Sequence, residues 1–422
     1  MAETRDVVIT GVGVVSPIGI GQRAFWDSLM SGRSGVASLT QFDASAMTVR
    51  FGAELADFDP KQHVKPRKAL KVMCREIQTA FAAAGLAVES AGITCENVNV
   101  ERFGAVFGSQ MLYGELDEFV DLYQACKNDD GEFQYEQYGD LFPTKMFPLW
   151  MLKYLPNMAA CHVAIAHDAR GPNNTIVLGE ASSLLAVSEA ASYIQRGMAD
   201  VMMAGGTGSR LNVTNMLYRG DWDLSKRNDD PSAAMRPFDK DRDGTVNGEG
   251  SAVVILESRR HAERRSAPIM AQLLATHSTV DVGGSKKTRI EAVERSIEGV
   301  MKSGQIDPTS ISHINAHGAS TIDDDTIEAT AIARILGDVP VTAPKSYFGS
   351  LGAGSGLVEL VASVLSLQHG RVPPTLNYHS PDPYCPINVV HQQTLESNLP
   401  VAICLNQSST GQAVSVALQA AE

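Results

Sequence analysis

Val7-Val8-Ile9-Thr10-Gly11-Val12-Gly13-Val14-Val15-Ser16-Pro17-Ile18-Gly19 begins as an apolar, largely β-branched run and then meets paired glycines. Such a run favours a strand, and glycine after it favours a turn. Val7–Thr10 is therefore expected as a strand and Gly11-Val12-Gly13 as a tight turn. The same unit recurs along the chain. Phe103–Phe107 ends in Gly108-Ser109, Thr175–Leu178 in Gly179, and Asp200–Ala204 in Gly205-Gly206. Ala252–Glu257, Ile269–Ala275, Ile311–Asn315 and Val401–Leu405 are further strand-like runs. Helical patterns, such as Arg67–Ala84 and Ser183–Arg196, separate them. The alternation predicts an α/β fold, with ligands at the glycine-rich ends of the strands. The most charged linker, Glu257–Arg265, places a boundary near residue 260 and divides the chain into halves 1–260 and 261–422.

Composition narrows the function. The chain has 422 residues, room for two or three domains or for one large duplicated fold. Its formal net charge is −13, which opposes binding to nucleic acid or to an anionic membrane surface. No apolar run reaches the ~18 residues of a spanning helix, and Met1–Arg5 does not resemble a secretory signal. The six cysteines are dispersed and form no C-x-x-C pair. They read as reduced thiols of a cytoplasmic protein, not as a zinc site or a disulfide framework.

Four motifs invite chemistry. Gly11-Val12-Gly13 lacks the third glycine of a dinucleotide fingerprint, because Ser16 stands there. Asp239-Lys240-Asp241-Arg242-Asp243-Gly244 opens like a calcium loop, but its twelfth position is Gly250 where a bidentate Glu is needed. A structural turn with internally paired charges is the better reading, and no metal is expected. His317, in Asn315-Ala316-His317-Gly318, ends a strand and could orient a carbonyl or carboxylate. Glu180, in Gly179-Glu180-Ala181-Ser182-Ser183, sits at the start of a helix, where backbone N–H groups favour an anion.

The order of motifs along the whole chain resembles the β-ketoacyl-acyl carrier protein synthases of the thiolase superfamily. The resemblance rests on residues 8–19, on Leu155-Pro156-Asn157-Met158-Ala159-Ala160 and on Gly171-Pro172-Asn173. Phe238–Gly244 with Gly248-Glu249-Gly250, then Asn315–Thr321 and Pro344-Lys345-Ser346, complete it. It implies a five-layered α-β-α-β-α fold of two similar halves, an apolar dimer interface and an acyl pocket between the halves. It implies no organic cofactor, since the phosphopantetheine arm arrives on the carrier protein. The family's chemistry uses a Cys that carries the acyl group as a thioester. Two histidines assist decarboxylation of a malonyl unit and stabilise the enolate oxygen.

The sequence departs from that pattern at decisive positions. Counting from Gly171-Pro172-Asn173, the nucleophile position is Glu180. His317 keeps the first histidine, and Ser350 stands at the second, in Lys345-Ser346-Tyr347-Phe348-Gly349-Ser350. Asn406–Gln412 replaces the glycine-rich C-terminal turn. The catalytic set implied by the resemblance is Glu180, His317, Ser350, Lys345 and Glu328. The implied acyl pocket is Met111, Leu112, Tyr113 and Thr410.

A carboxylate is a poor nucleophile toward a thioester, and the anhydride it would form hydrolyses readily. The first expectation is therefore a chain-length-factor-like partner, paired with a Cys-containing ketosynthase in fatty acid or type II polyketide assembly. A homodimer is the alternative assembly. The second is a malonyl-decarboxylating loading synthase, although an anionic Glu180 would repel the malonyl carboxylate by roughly a few kcal/mol in a dry pocket. The third is a scaffold that binds acyl carrier protein without chemistry. The basic cluster Lys61, Lys65, Arg67, Lys68, Lys71 and Arg75 suits an acidic carrier, with Lys65, Arg67, Lys68 and Lys71 as the docking residues.

Overall fold

The structure is a computed structural model that describes residues 5–110 and 113–421. Among the described residues twelve strands build the main sheet system; two, Gly19–Ile20 and Asn388–Val389, are only two residues long, and the other ten carry the architecture. They are β1 Val7–Ser16, β2 Phe103–Gly108, β3 Asn173–Ile176, β4 Val201–Ser209 and β5 Glu249–Ser258, then β6 Ala271–Val280, β7 Ile311–Asn315, β8 Pro340–Thr342, β9 Val401–Gln407 and β10 Gln412–Ala420. The first five run β3-β2-β4-β5-β1 across their sheet, and the second five run β8-β7-β9-β10-β6. Within each half β2, β3 and β4, or β7, β8 and β9, are parallel, and the last two pairings are antiparallel. The two halves thus share one strand order and one set of directions. Val7–Ile9 pair with Ala271–Leu273 and join the two sheets edge to edge.

The helices form the other three layers. Helix α1 (Arg75–Ala91) and α2 (Met158–Ala166) cover the outer face of the N-terminal sheet; α3 (Ser182–Gln195) lies on its inner face, and α4 (Val213–Arg219) follows β4. Helix α5 (Lys286–Gly304) and α6 (Ile322–Leu336) cover the outer face of the C-terminal sheet. The inner layer is completed by α7 (Ser355–His369). Twelve residues of α7 are buried, Glu359 and three serines among them, as its place between two sheets requires. Leu184, Val187, Ile194, Leu357, Val361 and Val364 form the core between the sheets.

Four local expectations are corrected. Gly11-Val12-Gly13 is not a turn: it lies inside β1, which is buried along its whole length. A Cβ on Gly13 would sit 2.0 Å from the Ala83 carbonyl oxygen of α1, so glycine there allows helix and strand to touch. Gly205-Gly206 likewise does not end β4, which continues to Ser209. A Cβ on Gly206 would lie 2.4 Å from Ser183 Cβ of α3. The pattern over Arg67–Ala84 splits into a 3-10 helix, Arg67–Val72, and α1, because Met73 turns extended and inserts beside Val64, Ile77 and Tyr154. Glu257–Arg265 is no solvated linker. Glu257 is fully buried and accepts from Thr10 Oγ1 (2.5 Å) and Arg265 Nε (2.9 Å), with His261 Nδ1 at 2.7 Å. The position of the expected boundary, residue 260, falls in the short helix Arg259–Arg264.

The calcium-like loop is a structural turn, as expected, but its charges pair with residues outside it and not internally. Asp239 accepts the backbone N–H groups of Asp241, His379 and Ser380 at 2.7–2.9 Å, and buried Arg242 pairs with Asp382 at 2.6 Å. Among the described residues, no cluster of three His, Cys, Asp or Glu side chains could hold a metal ion, and no helix is long and apolar enough to cross a membrane. All six cysteines are free thiols.

Candidate functional site

Residues from both halves meet at the C-terminal ends of the parallel strands, where the strand-end loops converge. Glu180 follows β3, on the 3-10 turn Gly179–Ala181 that feeds α3. Ser182 shapes that turn: its Oγ donates to the Gly179 carbonyl (2.6 Å) and accepts from Leu178 N–H (2.8 Å). Arg210 follows β4, His317 follows β7, and Lys345 and Ser350 follow β8. Gln407 ends β9. These residues line a cavity of about 580 Å3 that also contains Arg219, Arg289, Asp323, Asp324 and the Ser408–Thr410 turn.

The centre of the site is a saturated carboxylate. Glu180, with a side chain 14% exposed, takes Arg210 Nη2 at 2.6 Å on Oε1 and His317 Nε2 at 2.8 Å on Oε2. Ser350 Oγ donates to Oε1 as well. Burial alone would raise the Glu180 pKa, but Arg210, His317 and Lys345 carry it well below the usual carboxylate range. Glu180 is therefore an anion at neutral pH. Burial and Lys345 push His317 down, yet Glu180 outweighs them and the balance lies above the ordinary imidazole value. In its neutral form His317 donates from Nε2 to Glu180 and accepts on Nδ1 from Lys345 Nζ, 3.0 Å away.

Beneath the cavity lies a supporting network. Lys345 Nζ donates to the His317 carbonyl (2.7 Å) and lies 3.2 Å from buried Glu359 Oε1. Asn406 Nδ2 donates to the other Glu359 oxygen at 2.6 Å. Glu328 does not face the cavity. It is fully buried and accepts the backbone N–H groups of His317 (2.6 Å) and Gly318 (2.8 Å), which fixes the loop that carries His317. Burial raises its pKa against those bonds.

The structure brings Glu180, His317, Lys345 and Ser350 together, and Thr410 reaches the cavity rim, where its hydroxyl lies 2.7 Å from Ser408 Oγ. Tyr113 stands outside the cavity lining with its ring against Tyr218, centroids 5.4 Å apart. Met111 and Leu112 lie outside the described residues. Of the basic cluster, Lys65, Arg67, Lys68 and Lys71 are exposed. Arg75 is committed elsewhere, to Glu249 at 3.1 Å. Sequence reasoning missed Arg210, the strongest partner of Glu180. Its signal was present: a lone arginine directly after the small-residue strand end Gly206-Thr207-Gly208-Ser209.

Residues 4–262 match the family described as "Beta-ketoacyl synthase, N-terminal domain", and residues 270–379 match its C-terminal domain. The chain is 35% identical over 431 residues to 3-oxoacyl-[acyl-carrier-protein] synthase 2 of Synechocystis sp., covering 99% of this chain and 98% of that protein. Among solved structures it is similar to the ishigamide ketosynthase/chain length factor, with a TM-score of 0.85 and 27% identity over all of both chains. It is similar also to a type II polyketide synthase ketosynthase solved in complex with its acyl carrier protein and bound to the hexaketide, with a TM-score of 0.82 and 26% identity over all of both chains. With both domains matched in order and a relative aligned from end to end, the chain belongs to the β-ketoacyl synthase family of the thiolase superfamily.

Proposed function

We propose that this chain is a cytoplasmic, non-condensing β-ketoacyl synthase subunit, chain-length-factor-like, in fatty acid or type II polyketide assembly. Its partners are a Cys-containing ketosynthase, in a heterodimer, and an acyl carrier protein. The observation that carries the reading is the fixed, anionic Glu180 at the position where the family resemblance puts the nucleophile. Acyl transfer needs a nucleophile with a free, reactive lone pair. The Glu180 carboxylate is weakly basic, and both of its oxygens are already engaged. The solved relatives that pair a ketosynthase with a chain length factor, or with a carrier protein, support both partners.

A decarboxylating role is less favoured. An anion 2.8 Å from His317 occupies the ground where a malonyl carboxylate and its developing enolate would need donors. The carrier-docking reading is compatible with the main one and rests on exposed Lys65, Arg67, Lys68 and Lys71 in a chain of net charge −13. Native mass spectrometry of this protein, co-expressed with a Cys-containing ketosynthase encoded beside it, tests the pairing. A one-to-one heterodimer is expected. A homodimer alone, with the ketosynthase left unpaired, would overturn the partner role.

A further inference from the structure

Arg210 is 7% exposed and sits against the inner wall of the cavity. Its guanidinium uses Nη2 on Glu180, while its Nε–H is buried with no hydrogen-bond partner among the described residues. A guanidinium presents its donors as a fork that matches two carboxylate oxygens. Beside it stand a second donor aimed at the same point, His317 Nε2, and a third, Ser350 Oγ. A charged fork, an imidazole and a hydroxyl that converge in a cavity are the elements of a carboxylate-binding site. Here the carboxylate is supplied by the chain.

We infer that Glu180 is an internal ligand: it fills a carboxylate-binding site made by Arg210, His317 and Ser350, and so closes this cavity to anionic extender units. The class of ligand excluded is a short carboxylate such as acetate or malonate, free or at the end of a thioester. Removal of the Glu180 side chain exposes the three donors without moving the strand ends that carry them. The inference deepens the non-condensing reading and rests on Glu180 as a fixed anion. It does not depend on the pairing with a ketosynthase, so heterodimer formation can fail while this site stands, and the reverse.

The test is a titration of the full-length protein and of Glu180→Ala with sodium acetate and sodium malonate, against sodium chloride at equal ionic strength. Binding is read by calorimetry and by the thermal midpoint. Glu180→Ala is expected to gain saturable carboxylate binding that the unaltered protein lacks, and to lose at least tenfold of it in Glu180→Ala/Arg210→Met. Two results would overturn the inference: a folded Glu180→Ala with no carboxylate-specific response, or unaltered protein that binds malonate as tightly as the variant. If Glu180→Ala does not fold, Glu180→Gln keeps the side-chain volume. The imidazole titration of His317, followed by NMR, is then expected to fall to a lower pH in Glu180→Gln, and an unchanged titration would equally overturn it.

Discussion

Glu180 shows how a buried charge is tolerated. Isolated, a carboxylate in this position would cost several kcal/mol of desolvation. Contacts with Arg210 at 2.6 Å and His317 at 2.8 Å offset that cost, and Lys345 Nζ, 3.0 Å from His317 Nδ1, adds positive charge behind the imidazole. The signs fix a pH window. The Glu180 pKa is depressed on folding, so its stabilisation is present above the unfolded carboxylate value and is lost as pH falls through the folded one. His317 is raised, so its share is complete below the unfolded imidazole value and is lost as pH rises through the folded one. The pair thus contributes most between about pH 4.3 and 6.5, the two unfolded values. Chemical denaturation of the unaltered protein and of Glu180→Gln across pH 3–9 checks this. The stability gap is expected to be widest inside that window and to narrow on both sides. A gap independent of pH would show that the ion pair does not form in solution.

At the scale of elements, glycine decides what can approach what. β1 crosses α1 where the helix presents Ala83, Ala87 and Ala91, and any Cβ at position 13 would collide with the helix backbone. Gly13→Ala is expected to destabilise the fold by about 2–3 kcal/mol, the usual cost of overpacking a close contact, as measured by urea denaturation. A loss below roughly 0.5 kcal/mol would refute the contact. The same glycines explain where sequence reading stopped. Ile311–Asn315, Phe103–Phe107 and Val401–Leu405 were legible because β-branched and aromatic runs report strands locally. A glycine within a strand and a glycine in a turn look alike in sequence, because the difference lies in a helix 70 residues away. The site was legible in proportion to motif order: Glu180, His317, Lys345 and Ser350 sit in fixed sequence contexts. Arg210 lies in no such motif; the small-residue strand end before it marks its position but not its partner, and the folded strand ends bring it to Glu180.

At the scale of the whole molecule, two halves with the same strand order place their strand ends against each other, and the cavity belongs to both. The exposed basic cluster Lys65, Arg67, Lys68 and Lys71 lies before α1, on an otherwise acidic protein. Surface charges of this kind steer association and are screened by salt. Replacing Lys65, Arg67 and Lys68 by alanine is expected to weaken carrier-protein binding and to flatten its dependence on ionic strength. Surface plasmon resonance between 50 and 300 mM salt reads both, and unchanged affinity would reduce the cluster to ordinary surface. Without a thiol at position 180, this chain forms no acyl-enzyme. The most direct measurement is intact-protein mass spectrometry of the co-expressed pair after incubation with an acyl-loaded carrier protein. The acyl mass is expected on the Cys-containing ketosynthase alone, with this chain unmodified. A stoichiometric acyl adduct on this chain would contradict the account.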